Sequence, residues 1–267
     1  MVSKATGASY PAVSDAIIHA SEIPLPPLEE QRCIAAILDQ CASLTASQEL
    51  HLSTMRELEG ALLRQMADEL SRGSKAVELK NLVESGDKIN YGVVQPGVHV
   101  DAGVPLIRVG DFAAGIVNRS AMKFIDPAIE SLYSSSRIRG NEILISCVGS
   151  IGIIAEARPE DVGSNIARAV ARIPVSKDVN RTWLAAYLRS QRVQRYFTNE
   201  LRTVSQPTLN IKQIQETEII LPPLEQQQAF ANRLEIVHAK CAQRVYSLQT
   251  VKQLANTLAT QIFTGGA

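Results

Sequence analysis

Three loops, the second made of two separate segments, gather side chains with hydrogen-bonding ends around small residues. Lys88-Ile-Asn-Tyr-Gly-Val-Val-Gln95 brings Lys88, Asn90, Tyr91 and Gln95 to either side of a glycine. Ser146-Cys-Val-Gly-Ser150 sets Ser146 and Ser150 around another, and Gly163-Ser-Asn-Ile-Ala-Arg168 adds Asn165 and Arg168. Thr203-Val-Ser-Gln-Pro-Thr208 contributes Ser205, Gln206 and Thr208. An Arg fork matches guanine, and an Asn or Gln amide matches adenine, in the major groove of DNA. Hydroxyls and cations hold phosphates, and glycine lets backbone come close. Each stretch also has an ordinary reading, since Asn and Ser in loops often only cap turns. Arg108 and Asp111 have the spacing to pair with each other. Arg181, Arg189, Arg192, Arg195 and Arg202 face a single acid, Glu200, across residues 181–202. Arg189 and Arg192 are the candidates there for phosphate contact, the sequence-independent part of DNA affinity. A solvated helix face is the alternative.

No catalytic constellation accompanies these loops. The chain holds no GxxxxGK[ST] phosphate loop and no GxGxxG after a strand. An Asn-Pro-Pro-aromatic methyl-transfer box is missing too. His19, His51, His99 and His238 are dispersed, and Cys33, Cys41, Cys147 and Cys241 form no CxxC pair. Neither set has metal-ligand spacing. The cysteines read as small buried hydrophobes. Cys147 has no basic neighbour in sequence and closes an apolar run, so it reads as a core residue rather than a nucleophile. The expectation is a protein that is not an enzyme and holds no cofactor or metal.

Composition narrows the partners. The 27 Lys plus Arg balance 27 Asp plus Glu, which excludes a uniformly basic DNA-coating protein and leaves room for a local basic patch. Aromatic residues make up 4%, too few for base-stacking platforms. No apolar run approaches membrane-spanning length, and the start MVSKATGASYP lacks the apolar core of a signal peptide. No membrane and a cytoplasmic location are the expectations.

The elements that position these loops are organised by an internal repeat. Residues 7–70 align without a gap to 203–266. Glu22-Ile-Pro-Leu-Pro-Pro-Leu-Glu-Glu-Gln31 matches Glu218-Ile-Ile-Leu-Pro-Pro-Leu-Glu-Gln-Gln227, and Leu38, Leu52, Leu58 and Leu62 match Leu234, Leu248, Leu254 and Leu258. Pro26-Pro27 and Pro222-Pro223 force an extended entry, and the second proline suits the first turn of a helix. Glu29, Glu30 and Glu225 then complement the helix dipole. Apolar residues follow at steps of three and four: Ile34, Ile37, Leu38, Cys41, Leu44, Leu52, Met55, Leu58, Leu62, Met66, and in the second copy Phe230, Leu234, Val237, Cys241, Val245, Leu248, Val251, Leu254. Each copy predicts a helix of about 40 residues, on the order of 60 Å long. The simplest partner for one such helix is its copy, packed antiparallel as a coiled coil.

Between the copies the pattern changes to glycines and short β-branched runs. Strands are predicted at Val104–Val109, Ile116–Val117, Glu142–Cys147, Ile151–Ala155 and Ala167–Ile173, and one helix at Thr182–Asn199. The fold class expected is α+β: one mixed α/β domain plus two long antiparallel helices. The boundaries are 1–25, an extended remnant resembling a domain end; 26–72, the first helix; 73–221, the mixed domain; and 222–267, the second helix.

The doubled PLPPLEEQ/LPPLEQQ motif, each copy followed by a long helix, resembles the specificity subunit of type I restriction–modification systems. Pro105-Leu-Ile-Arg-Val-Gly-Asp-Phe112, Arg139-Gly-Asn-Glu-Ile-Leu-Ile-Ser-Cys-Val-Gly-Ser-Ile-Gly152 and Thr203-Val-Ser-Gln-Pro-Thr-Leu-Asn210 add to the likeness. In that family two target-recognition domains alternate with two long helices. Each domain reads half of an interrupted DNA target, and the helices space the readers and dock the methyltransferase subunits. The resemblance implies double-stranded DNA and methyltransferase subunits as partners, with a restriction/translocase subunit met indirectly. It also implies that the third loop and the glycine-containing loops face DNA. This chain shows one recognition domain, so the expectation is a half-length form that rebuilds two readers as a homodimer. The alternative is a truncated helical scaffold that binds methyltransferase subunits without selecting DNA.

Overall fold

The two Pro-Pro motifs start helices in the same way. The computed structural model describes residues 15–21, 25–70, 75–113, 115–201 and 208–264. After a short helix α1 (Asp15–His19), the long helix α2 runs Leu28–Leu70. The Gln31 side chain donates to the Pro26 carbonyl at 2.7 Å while its backbone N–H donates to Pro27. At the head of the last helix, α7 (Leu224–Thr264), Gln227 repeats both bonds, to Pro222 at 2.8 Å and to Pro223. The glutamine that ends the motif is therefore a clamp on the proline carbonyl ahead of the helix. A proline has no N–H of its own to offer a helix, but its carbonyl still needs a donor.

Burial along α2 recurs with a heptad period. Ile34, Leu38, Cys41, Thr45, Gln48, Leu52, Met55, Glu59, Leu62 and Met66 are covered at alternating steps of four and three, with Gln31 at the start and Gly60 and Leu63 towards the end covered outside that series. That 3.5-residue spacing belongs to a coiled-coil seam. It passes through three polar residues and leaves Ile37, Leu44 and Leu58 exposed, although hydrophobicity alone placed them on the apolar stripe. Val245 and Leu254 of α7 are likewise exposed.

The chain forms two compact units, one of residues up to Arg56 with those from Ala239 onward, the other Glu57–His238. In the first, α2 and α7 run antiparallel. Leu38 and Cys41 line a groove with Ala255 and Asn256, while Gln48 accepts from Arg244 at 3.3 Å. Lys252 meets Glu49 at 2.8 Å. The second unit takes in more than the expected 73–221. Leu63 and Met66 of α2 and Phe230 of α7 pack into the same core as Leu79, Trp183 and Ile219, so the inner turns of both helices belong to the domain.

Within that unit, β1 (Lys75–Glu78) pairs antiparallel with β11 (Glu218–Leu221), closing the domain at its entry and exit. The remaining strands are β2 (Asn90–Tyr91), β3 (Val104–Ile107), β4 (Phe112–Ala113), β5 (Ile116–Val117), β6 (Lys123–Ile125), β7 (Glu142–Ser146), β8 (Ile154–Glu156), β9 (Asn165–Ile166) and β10 (Val170–Pro174). Six form one sheet in the order β2-β10-β7-β8-β5-β4, and three form another, β6-β3-β9. Helix α3 (Pro127–Ser131) follows β6, and α6 (Ile211–Gln215) precedes β11. β7 and β10 are buried along their whole length, as central strands covered on both faces must be.

The expected single helix at Thr182–Asn199 is two: α4 (Arg181–Arg189) and α5 (Gln191–Leu201), broken at Ser190, which is extended. The break is stabilised from outside. Gln194 donates to the Leu188 carbonyl at 2.8 Å and to Gly152 at 3.0 Å, supplying a donor that a continuous helix would have taken from its own backbone. Arg189, Arg192 and Arg195 consequently do not share one helix. The expected strand Ala167–Ile173 is also interrupted, by a turn in which Val170 N–H donates to Ala167.

Candidate nucleic-acid interface

The three polar loops, far apart in sequence, are stitched together by backbone hydrogen bonds at one end of the six-stranded sheet. Val93 N–H donates to Ile166 at 2.7 Å and Arg168 N–H to Val93 at 2.9 Å, joining the first loop to the 163–168 loop. Cys147 N–H donates to Ala169 at 2.7 Å, joining that loop to the β7–β8 hairpin. Leu209 N–H donates to Cys147 at 3.0 Å, and Val148 bridges Thr208, bringing in the third loop. The Tyr91 hydroxyl completes the set by donating to the Leu209 carbonyl at 2.8 Å.

Two glycines show why these loops need small residues. A Cβ on Gly92 would lie 1.7 Å from the Ile166 carbonyl oxygen, so any other residue would push the first loop off the second. Gly152 has φ +82°, and a Cβ there would meet the Gln194 amide at 2.7 Å. Gln194 was not foreseen as part of the region. It acts across 42 positions of sequence, a distance no local pattern spans.

The candidate residues divide by what their side chains do. Gln95, Ser150 and Arg168 are exposed at the loop edge, while Lys88, also exposed, lies before β2 at its other end, beside Asp87, which pairs with Arg139 and Arg172. Asn90 is half-buried, with its amide nitrogen 3.4 Å from Ser135 Oγ and its buried Oδ1 without a partner. Thr208 is half-buried at its bridge to Val148. Ser205 and Gln206 lie outside the described residues.

Five candidates turn inward or are engaged, which corrects their reading as free contacts. Asn165 is fully buried and bonds Ser136, Glu130, the Tyr133 carbonyl and the Ile166 N–H, leaving nothing for a ligand. Ser146 is buried, donating to the Ser150 carbonyl and accepting from Ile153 N–H at 2.8 Å, so it shapes the hairpin instead of reading from it. Tyr91 is held by Leu209, and burial pushes its phenol up to about 12. Arg189 lies 3.7 Å from Glu156 and 3.3 Å from the Gly115 carbonyl, where burial lowers its pKa against the opposing pull of Glu156. Arg192 is exposed and paired with Glu218 at 2.5 Å.

Arg108 and Asp111 do pair, at 2.9 Å, as their spacing allowed. Cys147 is fully buried and its thiol is pushed up to about 12 by burial, the opposite of an activated nucleophile. Cys41 is buried as expected. Cys33 is exposed, because the heptad register turns its position away from the seam. Among the described residues no group of three or more His, Cys, Asp or Glu could hold a metal ion. No described helix is long and apolar enough to cross a membrane.

A family model described as type I restriction modification DNA specificity domain matches residues 1–53 and 75–245. The chain belongs to this family. The Escherichia coli type I restriction enzyme EcoBI specificity subunit is 32% identical over 264 residues, covering 89% of this chain and 54% of that protein. The MjaVIII specificity subunit of Methanocaldococcus jannaschii is 21% identical, covering 97% of this chain and 66% of its own. The S subunit of a type I restriction-modification system from M. genitalium shares the fold, with a TM-score of 0.63 at 15% identity over 98% of this chain and 68% of that one. The chain thus spans between half and two-thirds of the length of the curated relatives it matches. Both matched stretches include a Pro-Pro clamp, and the second contains all the stitched loops.

Proposed function

We propose that this chain is a non-catalytic DNA-recognition subunit whose stitched loops read half of an interrupted target and whose long helices dock methyltransferase subunits. The observation that carries this reading is the convergence of four chain segments on one edge that presents Gln95, Ser150 and Arg168 outward on a hydrogen-bonded backbone. Rigid presentation is what base readout requires, since an amide or guanidinium must meet a base edge at fixed distance and angle. Thr208 enters from the third loop, to which Ser205 and Gln206 belong in sequence; Arg168 supplies charge for phosphates at the edge, and Asn90 and Lys88 extend the contact along β2. Methylation and cleavage then belong to partner subunits, the restriction subunit being met only through the complex. The exposed Ile37, Leu44 and Leu58 beside the helix seam support the docking role.

A second copy of the chain supplies the second reader. The support is the first Pro-Pro clamp, which leaves Leu25, Leu28 and Ala35 exposed. A light-scattering mass of one chain at working concentration would remove this part of the proposal.

Selection from random double-stranded oligonucleotides, with methyltransferase subunits present, tests the whole. An enriched sequence with a constant gap is expected. Gln95→Ala or Gln206→Ala should then relax preference at one position, by about 1–3 kcal/mol. Arg168→Ala should weaken all sequences alike and reduce the salt slope by about 1. No enrichment beside intact methyltransferase binding would instead support a scaffold that does not select DNA.

A further inference from the structure

The loop edge carries an apolar feature that hydrogen-bonding readout leaves unused. Val93 is buried and Val94 beside it is 48% exposed. Cys147 is buried and Val148 beside it is 40% exposed. On extended backbone, neighbouring side chains point to opposite faces, so each pair sends one side chain into the core and a valine outward. The two valines sit on the segments that flank Arg168–Ala169, through the Val93–Arg168 and Cys147–Ala169 bonds. Val148 is the more firmly held. The residue before it is hydrogen-bonded on both sides, to Ala169 and to Leu209, and Val148 itself bridges Thr208. The next residue, Gly149, has φ +77° and, among the described residues, open space where a Cβ would point, so the hairpin tip beside the valine is uncrowded there.

Building on the DNA-reading proposal, we infer that Val148 is a specificity-determining residue that packs against the 5-methyl group of a thymine in the major groove. Thymine is the one standard base that presents a methyl group there, and apolar side chains are its natural complement. Valine suits the task because β-branching leaves its χ1 little freedom to lose on contact. The exposed Ser150, Gln95 and Arg168 of the same edge favour DNA as the occupant, since a hydroxyl, an amide and a guanidinium around the valine are the groups that pair with phosphates and base edges.

The test uses the complex with its methyltransferase subunits and the target that selection identifies. Each thymine of the half-target is replaced in turn by deoxyuridine, which deletes only the methyl group. One position should bind about fourfold more weakly, the factor for one buried methyl. Val148→Ser should abolish the thymine-over-uracil preference at that position and leave the preferences at other positions unchanged. The uracil series on the unaltered protein does not depend on the variant folding. A half-target without thymine, or one in which no uracil substitution weakens binding, overturns the inference while the DNA-reading proposal stands. If Val148→Ser instead lowers methyltransferase binding and spares uracil discrimination, the valine belongs to a protein interface and the inference fails. Absence of any selected target would defeat the DNA-reading proposal itself.

Discussion

Gln31 and Gln227 occupy the same place in two copies of one motif, and each clamps a proline carbonyl ahead of a long helix. Only the second is buried, at 2% exposure. Its side-chain carbonyl accepts from Asn180 N–H at 2.9 Å, at the start of α4, and neighbouring Gln228 accepts from the Asn180 amide. Among the described residues the Gln31 carbonyl meets no such donor. The contrast continues down the helix. Ala231 and Leu234, in the second unit, are fully buried, while their counterparts Ala35 and Leu38 are exposed and half-covered. Starting a helix is therefore a local property that both copies keep. Burying its first turns needs a domain, and this chain supplies one to the second copy.

The largest test of that contrast is a matched pair of truncations. Leu234→Ala should cost about 3 kcal/mol, the range for a fully buried leucine, and Leu38→Ala about 1 kcal/mol. Trp183, the only tryptophan, lies in the second unit's core and reports its unfolding in urea, while helical circular dichroism follows the first. Equal losses would break the comparison. Gln227→Ala comes next, at about 2 kcal/mol, because it orphans both the Pro222 carbonyl and the Asn180 N–H. Gln31→Ala should cost about 0.5 kcal/mol, and a larger loss would mean that the first clamp is covered after all.

A smaller difference should show in acid. In the second unit Glu130 is held below the ordinary carboxylate range, first by its hydrogen bond from Arg137 and then by Asn165. A lowered folded pKa adds stability that is complete above the unfolded value and is lost as pH falls through the folded one. Tryptophan-monitored stability should therefore drop below about pH 4.3, the unperturbed glutamate value. Glu130→Gln should flatten that acid limb, and an unchanged limb would remove Glu130 from the account. The smallest effect belongs to the first unit's Glu49–Lys252 pair. Both side chains are about half exposed, so Lys252→Ala should cost no more than about 0.5 kcal/mol and less in high salt.

The helix starts were legible because their signals, the prolines and the acids of the first turn, lie within ten residues; the glutamine's clamp on the proline carbonyl appeared only in the structure. The repeat was legible for the same reason. The heptad register was only partly so. Hydrophobicity pointed to Ile37 and Leu44, while the helix half-covers Thr45 and Gln48, because a seam is set by its 3.5-residue geometry and accepts polar side chains that fall on it. Ser190 gave no warning of a helix break, since the donor that makes the break tolerable comes from Gln194, which also holds the β7–β8 hairpin.

The candidate site divides in the same manner. The residue types of the three loops already implied hydrogen-bonding chemistry. Which of them face outward depended on the sheet. Asn165 and Arg168 stand three residues apart in one loop. The first closes a buried network around Glu130 and the second stays in water, because β9 pairs with β3 and draws Asn165 inside while the turn at Ala167 releases Arg168. What the sequence by itself determined is where helices begin and which segments repeat, since proline geometry and helix dipoles act over one turn. What only the tertiary structure decided is which polar groups are spent internally, because a buried amide takes its partners from strands and loops that sequence separation hides.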